Sequence, residues 1–323
     1  MASLFKKVGV VGAGAMGAQI AEIMALNGFD VVTRHRTEES KERALNDVDK
    51  ALQSLLRFNS NRAEKEIRKM EQTYGLTLDE EQKSKVKEKL KSEFTEEMMT
   101  DAKSKIQPTL KLEDFNDVDL VIESVVEDIN IKREIFNKID KIAPENAIFA
   151  SNTSTLLISE IAAATQRFDK FIGIHFFNPP VILPLIEIIP GIGTSKNTVE
   201  SVFNFSKTLK NHRGLMKPIM VKEVPGFLVN RVLLAMLNEA FSLYEEEVAS
   251  VNDIDIAMKS GAGMPMGPFE LADLIGIDVL YHMNQSIKEM QGGNVTPKPI
   301  QLLRKMKAIG QLGRKTRKGF YEY

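Results

Sequence analysis

Apolar positions first gather in a short run, Val8-Gly-Val-Val11, which breaks into Gly12-Ala-Gly14-Ala-Met-Gly17. The run predicts a strand. Ala18, Ile20, Ala21, Ile23, Met24, Ala25 and Leu26 predict an apolar helix after it, stopped by Gly28, and Phe29-Asp-Val-Val32 opens a second strand. Leu45, Val48, Leu52, Leu55 and Leu56 then fall at helical spacing in a heavily charged stretch. They predict a helix packed on the first elements, continued by a helical arm over about residues 40–105. Within the arm, Gly75 is the expected stop of one helix and Asp79 the cap of the next. Strand-like runs return at Val118-Asp-Leu-Val-Ile122, Ala147-Ile-Phe-Ala150, Phe171-Ile-Gly-Ile174 and Leu185-Ile-Glu-Ile-Ile189, with helical stretches at 131–142 and 159–164 between them. Short apolar strands alternating with helices predict a mostly parallel, doubly wound α/β domain over residues 1–191. Beyond Pro190-Gly-Ile-Gly193 the period is helical, longest at 230–248. An all-α domain with a self-association surface is expected over residues 192–323.

Composition narrows the class. The 323 residues carry a net charge of −1 and no cysteine. Disulfides, thiolate metal sites and cysteine nucleophiles are therefore excluded, and no long-range pull toward nucleic acid or an anionic membrane is expected. No apolar run approaches the ~20 residues of a membrane span. The first strand opens a few residues after Met1, so no signal or transit peptide is expected, and the expected location is cytoplasmic. Histidines are scattered without ligand spacing, so no metal is expected. The lysines 83, 85, 87, 89 and 91 read as a solvated face, or as a holder for the nucleotide phosphate of a large substrate.

The glycine run carries the first chemistry. Placed between strand and helix, Gly12-Ala13-Gly14-Ala15-Met16-Gly17 is a dinucleotide-binding fingerprint, so the α/β domain is expected to be Rossmann-like. Gly12 permits the tight turn, Gly14 lets the backbone approach the pyrophosphate, and Gly17 lets helix and strand close up. The anion then sits at the helix N-terminus. An NAD site usually carries an acid at the end of the second strand, on the ribose 2′-hydroxyl. That end here reads Thr33-Arg34-His35-Arg36-Thr37. His35 takes the acidic position, with Arg34 and Arg36 able to flank a phosphate, so NADP(H) is favoured over NAD(H). Strand alternation makes Arg34 the weaker of the two arginines.

The carboxyl ends of the later strands hold the reactive residues: Ser154 after one, His175 at another, and Glu187 within the apolar strand that follows. His175 suits an acid/base for a hydroxyl losing hydride, Glu187 its orienting partner, and Ser154 and Asn230 hydrogen-bond partners of the reacting oxygen. Each has a plainer reading. His175 is also placed as a structural donor, Ser154 as a helix cap and Asn230 as an ordinary helix residue. A carboxylate in an apolar strand does demand a partner. Residues 182–185 read as strand core or as an acyl pocket.

Over nearly its whole length the chain resembles the L-3-hydroxyacyl-CoA dehydrogenase family, in its 3-hydroxybutyryl-CoA dehydrogenase type. The resemblance lies in the glycine turn, Ala150-Ser-Asn-Thr-Ser154, Gly173-Ile-His-Phe-Phe-Asn-Pro179 and Glu187. It continues in Val224-Pro-Gly-Phe-Leu-Val-Asn-Arg231, Pro265-Met-Gly-Pro-Phe-Glu-Leu271 and Leu312-Gly-Arg-Lys-Thr-Arg-Lys-Gly-Phe-Tyr321. It implies a Rossmann-like domain and a helical dimerisation domain, with a site in a cleft that closes on both ligands. It implies His175 as acid/base, Glu187 as partner, and Ser154 and Asn230 as substrate-oxygen ligands. Cofactor contacts come from the glycine turn, Glu127, Lys132, Ser154, Asn178 and Lys315. The chain departs from the family at His35, in a longer arm over 59–105, and at Gly261-Ala-Gly-Met-Pro265. The coenzyme A ligands of the arm align with Ala51 and Phe58, where Ser54 and Arg57 are the nearest substitutes. The activity implied is interconversion of (3S)-3-hydroxyacyl-CoA and 3-oxoacyl-CoA by a homodimer. A dehydrogenase of a hydroxy acid without coenzyme A, and a non-catalytic dinucleotide-binding protein, remain as alternatives.

Overall fold

Val8, Val10 and Val11 are fully buried, and a Cβ at Gly9 between them would strike the Phe115 ring at 2.3 Å. The strand they form, β1 (Lys7–Val11), leads into α1 (Ala15–Leu26) and β2 (Asp30–Arg34). The arm follows as α2 (Glu38–Ser60), α3 (Arg62–Tyr74), α4 (Glu80–Lys89) and α5 (Glu96–Lys105). Next come β3 (Ile106–Thr109), β4 (Leu120–Glu123), α6 (Ile129–Asp140), β5 (Ile148–Ser151), α7 (Ile158–Ala162), β6 (Phe171–Phe176) and β7 (Leu185–Pro190). Then α8 (Lys196–Thr208), the hairpin β8 (Lys210–Asn211) and β9 (Gly214–Leu215), and β10 (Lys217–Met220) complete the first part. The computed structural model describes residues 5–90, 94–290 and 300–323, apart from the side chains of residues 58–60, 62, 289 and 290.

The chain divides into two units. The first holds Met1–Thr153 and Ile158–Met220. Its sheet has eight strands in the order β10-β7-β6-β5-β4-β1-β2-β3, and only the β6–β7 pair is antiparallel. Six of these strands form the Rossmann order, reversing direction of travel between β1 and β4, where such sheets bind ligands. Ile20, Ile23 and Met24 of α1 and Val48, Leu52 and Leu55 of α2 bury into one core with Val8, Val10 and Ile122. Each such side chain contributes roughly 1.5–3 kcal/mol by burial. Gly75 (φ 63°) ends α3, and Asp79 caps α4 through a reciprocal pair with Gln82.

Two strands of the eight-stranded sheet, and the short hairpin β8–β9, were not legible as strands. β3 and β10 are four residues each and contain Pro108 and Pro218, which lowers their strand signal. They form the two outer edges of the sheet, where proline is tolerated. Because β10 pairs with β7, the sheet unit runs to Met220 and passes the boundary expected at residue 191.

The second unit holds Ser154–Leu157 and Val221–Tyr323. It is built from α9 (Val229–Glu245), α10 (Val251–Ser260), α11 (Pro268–Ile275), α12 (Ile277–Met290) and α13 (Ile300–Ala308). Leu234, Leu237, Phe241, Phe269, Leu280 and Leu303 form its core. Two buried aspartates tie it together. Asp255 accepts bonds from the Phe269 and Glu270 amides and the Tyr321 hydroxyl. Asp273 accepts them from the Phe320 and Tyr321 amides and the Tyr323 hydroxyl.

Candidate active site

The glycine turn sits between β1 and α1. Gly12 has φ +87°, and a Cβ there would lie 2.8 Å from the Ser124 carbonyl. A Cβ at Gly17 would lie 2.4 Å from the Gly12 carbonyl oxygen. At Gly14 a Cβ would meet nothing within 4 Å, so this position faces open space. Two glycines thus serve the fold and the third leaves room for a group to approach the backbone. That arrangement fits a dinucleotide pyrophosphate at the start of α1. Ala15 and Met16 open the helix, and Met16 packs against the core.

A cavity of about 240 Å³ adjoins the turn, lined by Gly12, Ala13 and Gly14 and by Arg34, His35 and Arg36. Ser124, Val125 and Val126, from the loop after β4, form its opposite wall. Arg34 therefore reaches the same cavity as its two neighbours. β2 ends at Arg34, so side-chain alternation no longer separates the three residues. His35 is 3% exposed, and its Nε2 lies 2.9 Å from Thr33 Oγ1. Burial first, then nearby Lys41 and Arg34, hold its pKa below the usual histidine value against a backbone bond at Ser40. Its imidazole is accordingly neutral near pH 7.

The second cluster centres on a residue that sequence reading missed. Glu123, fully buried at the end of β4, lies 2.7 Å from Lys132 Nζ through Oε1. The same oxygen accepts from the Val125 amide at 2.6 Å, and Oε2 accepts from Ser151 Oγ at 2.6 Å. Lys132 also reaches Glu127 Oε2 at 3.3 Å, and Glu127 Oε1 accepts from Thr153 Oγ1 at 2.7 Å. Glu127 and Lys132, both expected at the cofactor, thus belong to one network with Glu123. The signal was available: an acid closing an apolar strand needs a buried partner.

The third cluster is the expected one. His175, 6% exposed near the carboxyl end of β6, pairs in register with Glu187 of β7, which is fully buried. Their side chains meet at Nδ1 and Oε2, 2.7 Å apart. A buried carboxylate beside Nδ1 holds the proton on that nitrogen and leaves Nε2 as the basic atom. Asn178 follows on the exposed loop after β6. Ser154, Asn230 and Lys315 fall in the second unit. Asn230 lies in the first turn of α9, and Lys315 pairs with Asp278.

A further cavity of about 270 Å³ in the first unit is lined by Ala51, Ser54 and Leu55 of α2 with Ile182, His212 and Arg213. Ser54 stands there, whereas Arg57 does not line it. The Phe58 side chain and Lys91 lie outside the described residues. Beside this cavity, His212 Nε2 lies 2.7 Å from Oε1 of buried Glu22. Among the described residues no helix is long and apolar enough to cross a membrane, and no group of three or more histidines and acids is placed to hold a metal ion.

Residues 7–79 and 61–224 match the model of the 3-hydroxyacyl-CoA dehydrogenase NAD-binding domain, and residues 226–323 match that of the C-terminal domain. The chain is 40% identical over 328 residues to the mitochondrial hydroxyacyl-coenzyme A dehydrogenase of Homo sapiens, covering 99% of this chain and 92% of the relative. It is 41% identical over 318 residues to the 3-hydroxybutyryl-CoA dehydrogenase of Clostridioides difficile, covering 98% and 99%. The solved (S)-3-hydroxybutyryl-CoA dehydrogenase PaaH1 of Ralstonia eutropha superposes with a TM-score of 0.81 at 35% identity, covering 99% of each chain.

Proposed function

Because the chain belongs to the 3-hydroxyacyl-CoA dehydrogenase family, we propose that it interconverts (3S)-3-hydroxybutyryl-CoA and acetoacetyl-CoA with NADP(H) rather than NAD(H). The family consists of oxidoreductases that act on a CH–OH group with a nicotinamide dinucleotide. The short acyl chain is inferred from relatives named for 3-hydroxybutyryl-CoA. The observation that carries the chemistry is the buried His175–Glu187 pair.

Bound nicotinamide supplies the hydride acceptor or donor. The Nε2 of His175 takes the proton of the 3-hydroxyl as its carbon is oxidised, and returns it to the oxygen in the reverse direction. Glu187 fixes the imidazole through Nδ1 and stabilises the imidazolium that forms. Ser154 and Asn230 serve as hydrogen-bond partners of the substrate's oxygens. The glycine turn, Glu127, Lys132, Ser154, Asn178 and Lys315 serve the cofactor, and Ser54 is the proposed contact to coenzyme A.

The choice of cofactor rests on the cavity beside the glycine turn. Arg34 and Arg36 line it, and none of the described residues that line it is a carboxylate. Guanidinium groups pair with a phosphate monoester and gain little from a neutral ribose diol. With NADPH, the favoured direction is reduction of acetoacetyl-CoA. The enzyme is proposed to act in the cytoplasm as a homodimer.

The deciding assay is acetoacetyl-CoA reduction followed by nicotinamide absorbance, with NADPH and NADH in parallel. Turnover with a clear NADPH preference is expected. A preference for NADH keeps the dehydrogenase and removes the phosphate reading. No turnover with either moves the substrate to a hydroxy acid lacking coenzyme A.

A further inference from the structure

The cavity beside the glycine turn draws positive charge from a second element. Ser40 and Arg43 of α2 line it together with Arg34, His35 and Arg36. Residues three apart share one face of a helix, so the guanidinium lies beside the Ser40 hydroxyl. That hydroxyl donates to the Thr37 carbonyl at 2.8 Å and would turn from it to reach a phosphate. Three guanidinium groups thus border one space with a neutral imidazole. Of the two acids in the first turn of α2, Glu38 and Glu39, the former is engaged by Lys41 at 2.7 Å.

One atom of Arg34 is left unsatisfied by the protein. The Nε of Arg34 is buried and has no hydrogen-bond partner. A buried donor left unpaired is costly, so the protein alone does not fully satisfy the Arg34 guanidinium. His35 adds no fourth positive charge to the three guanidinium groups. It is turned toward Thr33, and its pKa is lowered by burial. Its contribution is to leave out the carboxylate that would repel a phosphate. Arg36 and Arg43 are both exposed and screened by solvent, but Arg43 comes from a second element, so it meets a phosphate from the side opposite the strand end.

We propose that Arg43, assisted by Ser40, is a specificity-determining ligand of the cofactor's 2′-phosphate and closes a clamp with Arg34. This rests on the NADP(H) reading and extends it from the strand end to the first turns of α2. The ligand class is an adenosine 2′-phosphate monoester, a dianion that accepts a bidentate guanidinium on one side and a second guanidinium with a hydroxyl on the other.

The test is calorimetric titration with adenosine 2′,5′-bisphosphate and with 5′-AMP, on wild type, Arg43→Gln, Arg43→Lys and Ser40→Ala. Wild type should bind the 2′,5′-bisphosphate roughly tenfold or more tightly than 5′-AMP. Arg43→Gln should erase most of that preference, Arg43→Lys should keep part of it, and Ser40→Ala should lower it by a smaller factor. In assays, the ratio of kcat/KM with NADPH to that with NADH should fall roughly tenfold in Arg43→Gln. A wild type that prefers the 2′,5′-bisphosphate while Arg43→Gln keeps that preference overturns the role of Arg43 and leaves the NADP(H) reading on Arg34 and Arg36. A wild type without the preference overturns both. Should Arg43→Gln fail to fold, Arg43→Lys and Ser40→Ala decide alone, and unchanged preference in both overturns the proposal.

Discussion

His175 and Glu187 face each other across one rung of the β6–β7 ladder, with Nδ1 2.7 Å from Oε2. The sheet's only antiparallel pair makes this possible. A residue near the start of β7 is brought level with a residue near the end of β6, at the carboxyl end of the parallel strands, the end that also carries the glycine turn. His175→Ala and Glu187→Gln should each lower kcat by about a thousandfold or more. Cofactor affinity, read by fluorescence titration, should stay nearly unchanged. Turnover near the wild-type rate in either variant would remove the roles assigned to the pair.

The three glycines of the turn should separate by experiment. Gly17→Ala forces a methyl toward the Gly12 carbonyl, and Gly12→Ala adds a left-handed backbone to a clash with Ser124. Both should cost roughly 2 kcal/mol or more in urea unfolding. Gly14 has φ −70° and open space around its Cβ position. Gly14→Ala should therefore fold with nearly wild-type stability and bind dinucleotide much more weakly. A Gly14→Ala protein that keeps full affinity would show that the backbone there does not meet the cofactor.

Glu123 joins Lys132, Ser151 and the Val125 amide in a buried cluster. Glu123→Ala leaves a lysine that is 1% exposed facing Glu127 alone at 3.3 Å. Breaking one side of a buried ion pair costs about 3–5 kcal/mol. Chemical denaturation should register a loss of that size, whereas a loss under about 1 kcal/mol would mean that water or Glu127 compensates.

Glu22 should make stability depend on pH in an unusual direction. Burial raises its pKa above the ordinary glutamate value, against the hydrogen bond and charge of His212, and its Oε2 is buried without a partner. A carboxyl whose pKa is higher folded than unfolded favours folding below the unfolded value, and that advantage is lost as pH rises through the folded value. Glu22→Gln should therefore leave stability near pH 4 almost unchanged and raise the melting temperature near pH 8. A Glu22→Gln protein less stable than wild type at pH 8 would show that pairing with His212 outweighs the burial of charge.

Much of this was legible in the sequence because single residues carried local rules. Gly12, Gly14 and Gly17 announced the turn, Asp79 its helix, and Glu187 the need for a buried partner. The strands β3 and β10 were not legible, since Pro108 and Pro218 erase the apolar signature that edge position makes unnecessary. Arg43 was hidden for another reason. It comes to the cavity from α2, and no spacing rule relates a helix residue to the end of the preceding strand. Glu123 was passed over because its partner Lys132 stands nine residues away, across a loop and the start of α6.

The prolines at both margins of the sheet bear on how the protein survives crowding. An outermost strand normally offers a row of free amides on which another chain can grow strand by strand. Pro108 and Pro218 each remove one of those amides from a strand only four residues long. The sheet is thus blunted at both ends against templated growth, and a chain caught in high concentration has little purchase from which to seed fibrils.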